Sequence, residues 1–183
     1  AFTVMSFLTT TGFASASWGD AQAWSGLNTP GVLLMGLALI GGGVATTAGG
    51  VKLLRVFALY QNGLREMQRL MHPSSVGSGG ALGRRVNKSG AFIAWISFML
   101  FGLSLALVAI GLTASGVAFD KALVVTVAGL STTGPLLEFA GDDPIRLIEM
   151  GGVAKAIFAA AMVLGRLETL AIIALFTRDL WRG

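Results

Sequence analysis

No cysteine occurs in this sequence, so a disulfide framework and a thiolate metal centre are both excluded, and the redox compartment cannot be inferred. Histidine is almost as scarce. The single one, His72, sits in a basic stretch without a second histidine, and a zinc site needs several clustered ligands, so it reads as a solvated loop residue. Charge is thin as well: Asp, Glu, Lys and Arg make up 12% of the 183 residues, against roughly 25% in soluble domains. A soluble globular fold is disfavoured. No nucleophile, base and orienting group occur together, and the acid-base candidates inside apolar stretches are Glu149, Glu168 and Arg166, so the chain does not read as an enzyme. No charged leader precedes the first apolar residues after Ala1, so no signal peptide is visible and the chain reads as beginning inside an element.

What the chain has in abundance is apolar surface, with 54% hydrophobic residues and a mean hydropathy of +0.77. Residues 91–113 carry no charge, and about 20 such residues cross a ~30 Å hydrocarbon core, which makes this the clearest single span. Residues 30–60 and 145–180 are apolar over more than one crossing at roughly 1.5 Å per residue, so each must tilt, protrude or break. Residues 2–8 and 121–130 are apolar but too short to span. Short apolar helices between long ones read as re-entrant segments.

Both short segments end alike, in Thr9-Thr10-Thr11-Gly12-Phe13 and in Ser131-Thr132-Thr133-Gly134-Pro135, and a long hydrophobic segment follows each. Gly12 and Gly134 lie 122 positions apart, and the flanking Ser/Thr positions match under that offset. The order of short helix, hydroxyl-rich tip and long helix is how a membrane protein builds an ion filter. Extended backbone at that depth is tolerated where it lines a water-filled cavity, and its carbonyls can replace water around a dehydrated cation.

The distribution of charge gives an orientation. Arg65, Arg69, Arg84, Arg85 and Lys88 face one acid, Glu66, in residues 63–89, which places this linker and the C-terminus, with Arg178, Trp181 and Arg182, in the cytoplasm. Asp20, Asp120, Glu138, Asp142 and Asp143 then form an acidic outer face, with Lys121 and Arg146 among them. Such a rim either concentrates cations or is an ordinary solvated surface.

Residues 41–50 hold five glycines, Gly41, Gly42, Gly43, Gly49 and Gly50, around Thr46 and Thr47. At roughly 1 kcal/mol each, these glycines favour a break in the helix at membrane depth. The other reading is a small-residue packing face. Lys52 and Arg55 follow and read as snorkelling to the surface. Arg166 lies 15 residues before Trp181, which on a continuous helix is roughly 22 Å above that interfacial anchor. A guanidinium there faces a cavity or a partner. It reads either as a charge reaching the glycine loop or as half of a structural pair.

Taken together, the first tip, the run from Gly41 to Lys52, and Leu164-Gly165-Arg166-Leu167-Glu168 closing near Phe176 and Trp181 resemble the TrkH branch of the Trk/Ktr/HKT potassium transporters. The resemblance covers essentially the whole chain and the C-terminal half of a family member. It implies an all-α integral membrane fold of helix–pore helix–filter loop–helix repeats of the potassium-channel-like type. Residues 1–89 would be the third repeat without its outer helix, and residues 90–183 the fourth. Thr10, Thr11, Gly12 and Phe13, with Thr132, Thr133, Gly134 and Pro135, would then be filter residues presenting carbonyls to K⁺, the transported ion, with no organic cofactor. Gly41, Gly42, Gly43, Thr46, Thr47, Gly49, Gly50 and Lys52 would form the gate, with Arg166 the arginine beneath the filter.

The resemblance further implies a bacterial inner-membrane location, contact with membrane lipid, a homodimer and cytoplasmic nucleotide-binding regulatory subunits of the TrkA type, with no nucleic acid. Because two filter loops cannot enclose a four-fold site, the first two repeats are expected on the same or another chain. The expected function is potassium uptake or conduction. The competing readings are a sodium-selective or sodium-coupled pore of the same fold and a non-conducting scaffold that docks regulatory subunits.

Overall fold

The computed structural model describes residues 1–26, 30–43, 46, 48–71, 88–140 and 144–167, and no strand occurs among them. The helices are α1 (Phe2–Leu8), α2 (Trp18–Ser25), α3 (Pro30–Ile40), α4 (Leu53–Met71), α5 (Lys88–Ala114), α6 (Phe119–Leu130), α7 (Leu136–Phe139) and α8 (Gly152–Leu167), with a 3-10 turn at Leu147–Glu149. Thr47, His72, Arg84, Arg85, Asp142, Asp143, Glu168, Arg178, Trp181 and Arg182 lie outside the described residues.

At 27 residues α5 is long enough to cross a bilayer, and its stretch Gly90–Ala114 is apolar throughout. Ser97, Ser104 and Thr113 do not interrupt it. Each hydroxyl donates back to a carbonyl of its own helix, of Ile93, Phe101 and Ala109 respectively, all at 2.8 Å, so none of these three hydroxyls faces hydrocarbon unpaired.

The 30–60 segment does break. Pro30 opens α3, where its missing N–H costs nothing, and the helix ends at Ile40; helix resumes only at Leu53. The described residues between them leave the helix because Gly41, Gly50 and Lys52 all take positive φ, at 72°, 81° and 70°. A continuous helix with a small-residue face is therefore not what the glycines build. The 145–180 segment is not a single span either. Pro144 and the Gly151-Gly152 pair keep helix from forming until Gly152, leaving only the 3-10 turn before it.

The short helix α6 is the centre of the molecule. Nearly every residue from Ala122 to Leu130 is buried, enclosed by α3, α5 and α8, with α7 folded back on its end. Leu112, Val125, Leu130, Leu136 and Ala161 are all less than 2% exposed in this core. Lipid tails are as apolar as these side chains, so close packing rather than exclusion of water holds the helices together. The partner helix α1 packs on α3. Its Phe7 meets Phe139 edge-on at 6.4 Å and 89°, a contact worth about 0.5–1.5 kcal/mol beyond packing area, which ties α1 to the chain leaving the second tip.

Candidate functional site

The ends of α1 and α6 follow one hydrogen-bond code. Thr9 N–H donates to Met5 O (2.9 Å), Thr10 N–H to Phe7 O (3.2 Å) and Thr11 N–H to Ser6 O (2.9 Å). Shifted by 122 positions, Ser131 N–H donates to Val127 O (2.9 Å), Thr132 N–H to Gly129 O (3.1 Å) and Thr133 N–H to Ala128 O (2.9 Å). This is the Schellman closure of a helix, whose left-handed residue is usually glycine. Here that residue is threonine in both tips, Thr10 at φ 58° and Thr132 at φ 56°. A β-branched side chain in that region is an outlier, strained by roughly 1–2 kcal/mol. Strain of this kind persists where the surroundings hold it, and it gathers at functional sites.

After the shared closure the tips diverge. In the first, Gly12 takes φ 85° and a Cβ there would lie 2.8 Å from Thr133 Cγ2 and 3.0 Å from Pro135 Cδ. Only glycine satisfies both the backbone and the space. The hydroxyls of Thr9 and Thr11 pair at 3.0 Å, and Thr9, Thr11 and Phe13 are exposed. In the second tip Ser131 and Thr133 are fully buried. Gly134 is not in the left-handed region, and a Cβ on it would meet nothing within 4 Å. The carbonyls of Thr133, Gly134 and Pro135 accept the N–H groups of Leu136, Leu137 and Glu138 at 3.1, 3.1 and 3.0 Å. Each keeps a second lone pair.

The tips touch one another. Thr133 Oγ1 is shared between Ser131 O at 3.3 Å and Thr10 O at 3.5 Å. Both helices therefore end at one place. The C-terminal end of a helix carries partial negative charge, a favourable setting for a cation.

The glycine loop lies against both tips. It is closed at its base by Val51 N–H to Leu39 O (2.9 Å) and Leu53 N–H to Gly42 O (3.2 Å). Thr46 Oγ1 donates to Gly43 O at 2.6 Å within it. Gly50 N–H donates to Leu130 O at 3.3 Å, and a Cβ on Gly49 would stand 2.5 Å from Ser131 C. From the other side, a Cβ on Gly165 would collide with the Leu130 carbonyl. Leu130 is thus a joint where tip, loop and α8 meet without room for a side chain. On the first-tip side Gly42 lies near Thr9, its Cβ position 4.0 Å from Thr9 Cα. Lys52, read from the sequence as snorkelling, is buried at 9% exposure.

Arg166 follows Gly165 in the last turn of α8, so its backbone is close to the joint, but its side chain is exposed. It makes no hydrogen bond to the described residues of the loop. The sequence gives neither Leu130 nor Gly165 a role; the one signal is a glycine beside an arginine at membrane depth. Nothing in it reveals that Thr133 reaches the other tip, because that contact joins residues 123 positions apart.

A family model described as TrkH, cation transport protein, matches residues 1–181. The chain belongs to the TrkH family. Among its relatives are the Trk system potassium uptake proteins TrkH of Escherichia coli strain K12, 35% identical over 181 residues, and of Halomonas elongata, 35% identical over 182; each alignment covers 99% of this chain and 36% of the relative. The solved structure of the potassium transporter TrkH from Vibrio parahaemolyticus superposes with a TM-score of 0.75 at 30% identity, covering 97% of this chain and 36% of that one. The fold is thus the potassium-channel-like membrane fold of TrkH proteins, and the chain spans about a third of the length of the relatives it matches.

Proposed function

We propose that this TrkH-family chain supplies the third and fourth filter loops of a potassium uptake pore, and that the glycine loop beneath them is its gate. One observation carries this reading: two helix ends with the same threonine-strained closure converge through Thr133 and Gly12, and a glycine-rich loop is seated directly on them. Residues 1–89 and 90–183 then correspond to two repeats, as the matched hydrogen bonds support. K⁺ sheds part of its water against tip carbonyls. Those of Thr11, Gly12 and Thr132 accept no backbone N–H among the described residues. The ion then passes Gly41, Gly42, Gly43, Thr46, Thr47, Gly49 and Gly50, with the charges of Lys52 and Arg166 below the filter setting how readily it does so.

Two loops do not close a four-fold site, so the pore also needs two further repeats. The exposed face of α1, with Phe2, Val4 and Met5, is where one of them packs. The assembly in this reading is a homodimer in a bacterial inner membrane, with residues 63–89 and the C-terminus on the cytoplasmic side, where nucleotide-binding regulatory subunits attach.

The test is uptake of radiolabelled rubidium by a bacterium lacking its own potassium uptake and expressing this chain with and without the two complementary repeats. Uptake only with both, competed by K⁺ and not by Na⁺, is expected. Competition by Na⁺ would move the reading to a sodium pathway. No uptake by correctly inserted protein that still binds regulatory subunits would move it to a scaffold.

A further inference from the structure

Thr133 is the one described residue of the second tip whose side chain hydrogen-bonds to the first. Its N–H is committed to Ala128 O at 2.9 Å, which fixes its backbone to α6. Its methyl group stands where a Cβ on Gly12 would be only 2.8 Å away, so it packs directly on the Gly12 backbone. Its hydroxyl has one proton and two carbonyls to give it to, Ser131 O at 3.3 Å within its own tip and Thr10 O at 3.5 Å in the other. The residue is fully buried. At the equivalent place in the first tip, the Thr11 hydroxyl lies 3.0 Å from the Thr9 hydroxyl of its own tip.

We propose that Thr133 is a positioning residue for ion selection, holding the Thr10 carbonyl with its hydroxyl. This rests on the filter reading above. Thr10 is the strained left-handed residue of the first tip, so its peptide has a lower-energy orientation to relax into. A buried donor that bonds the carbonyl in its present orientation opposes that relaxation. Selectivity between ions of different size depends on the number and field strength of the carbonyls and on the size of the space they leave. Removing the donor therefore changes which ion passes more than how much passes.

The experiment is paired rubidium and sodium uptake by the complete transporter carrying Thr133→Val, Thr133→Ser, Thr133→Cys or Thr126→Val, with inserted protein quantified for each. Thr133→Val keeps the shape and loses the donor. It is expected to lower the rubidium-to-sodium ratio about five- to tenfold, the effect of one lost hydrogen bond. Thr133→Ser keeps the donor and is expected to hold the ratio within about twofold, as is Thr126→Val, which removes a buried hydroxyl bonded to Ala122 O of its own helix at 2.7 Å. Thr133→Cys, a weak donor of similar size, should fall between and serves if the valine variant does not insert. An unchanged ratio in Thr133→Val or, failing insertion, in Thr133→Cys overturns the proposal while leaving the filter reading standing. So does a serine variant as impaired as valine, or an equal loss from Thr126→Val. A wild-type protein that takes up neither ion overturns both.

Discussion

The first tip leaves Thr9, Thr11 and Phe13 open on the side where this reading places the further repeats, whereas the second is enclosed by this chain's own helices, with Ser131 and Thr133 at zero exposure. Their backbones are nonetheless the same through the left-handed threonine, bond for bond under a shift of 122. The local code therefore builds the tip, and its surroundings decide which of its residues are indispensable. In the first tip the glycine is constrained twice, by φ 85° and by Thr133; in the second it is constrained by neither, because the chain turns at once into Leu136–Phe139.

The sharpest way to break this comparison is to substitute the two glycines in parallel. Gly12→Ala should cost about 2–5 kcal/mol, from a left-handed alanine and an overpacked contact, and should abolish uptake. Gly134→Ala should change stability by no more than about 0.5 kcal/mol. Thermal unfolding of the complete transporter in detergent, alongside rubidium uptake, reads both; equal losses would mean that the second glycine is held by something other than the contacts described. Next in size is the joint at Leu130. Gly49→Ala and Gly165→Ala each push a methyl group into backbone and should cost about 1–3 kcal/mol, while Gly43→Ala, exposed and with its nearest neighbour at 3.8 Å, should stay within about 0.5 kcal/mol. If Gly49→Ala unfolds no earlier than Gly43→Ala, the loop is not seated on the second tip.

A smaller effect tests the shared part of the tips. Thr132→Gly relieves a strained residue that is only half-buried and should raise stability by about 0.5–1 kcal/mol. Thr10→Gly relieves the same strain but removes a buried side chain, so its net change should be smaller. A larger gain at Thr10 would contradict the account. Arg166→Ala is expected to raise cation flux without lowering the melting temperature, because its side chain is exposed; unchanged flux at normal expression would remove it from the gate.

Much of this architecture was legible in the sequence because membranes leave few options. A charge-free run of 23 residues at 91–113 has to be a helix. Five glycines in residues 41–50 at membrane depth signal a break, and the structure breaks there. The two short apolar segments appear as α1 and α6, the second starting two residues earlier than expected. What the sequence concealed is nonlocal or cooperative. The helices α2 and α7 were not foreseen, and their only markers are Ser17 with Asp20 and Pro135 at their starts. The enclosure of the second tip is hidden because no local pattern says that α3, α5 and α8 surround α6. The exposed side chain of Arg166 was likewise out of reach, since a one-residue shift around a helix decides whether Gly165 or Arg166 meets Leu130.

The central claim is that the two unlike tips form one ion site. Anomalous scattering from crystals of the complete transporter grown in rubidium tests it most directly. The account predicts a peak within coordinating distance of Gly12 O on the first tip and Thr132 O on the second, above the loop seated on Leu130. A peak bound by one tip alone, or rubidium density elsewhere in the pore with none between the tips, would contradict it.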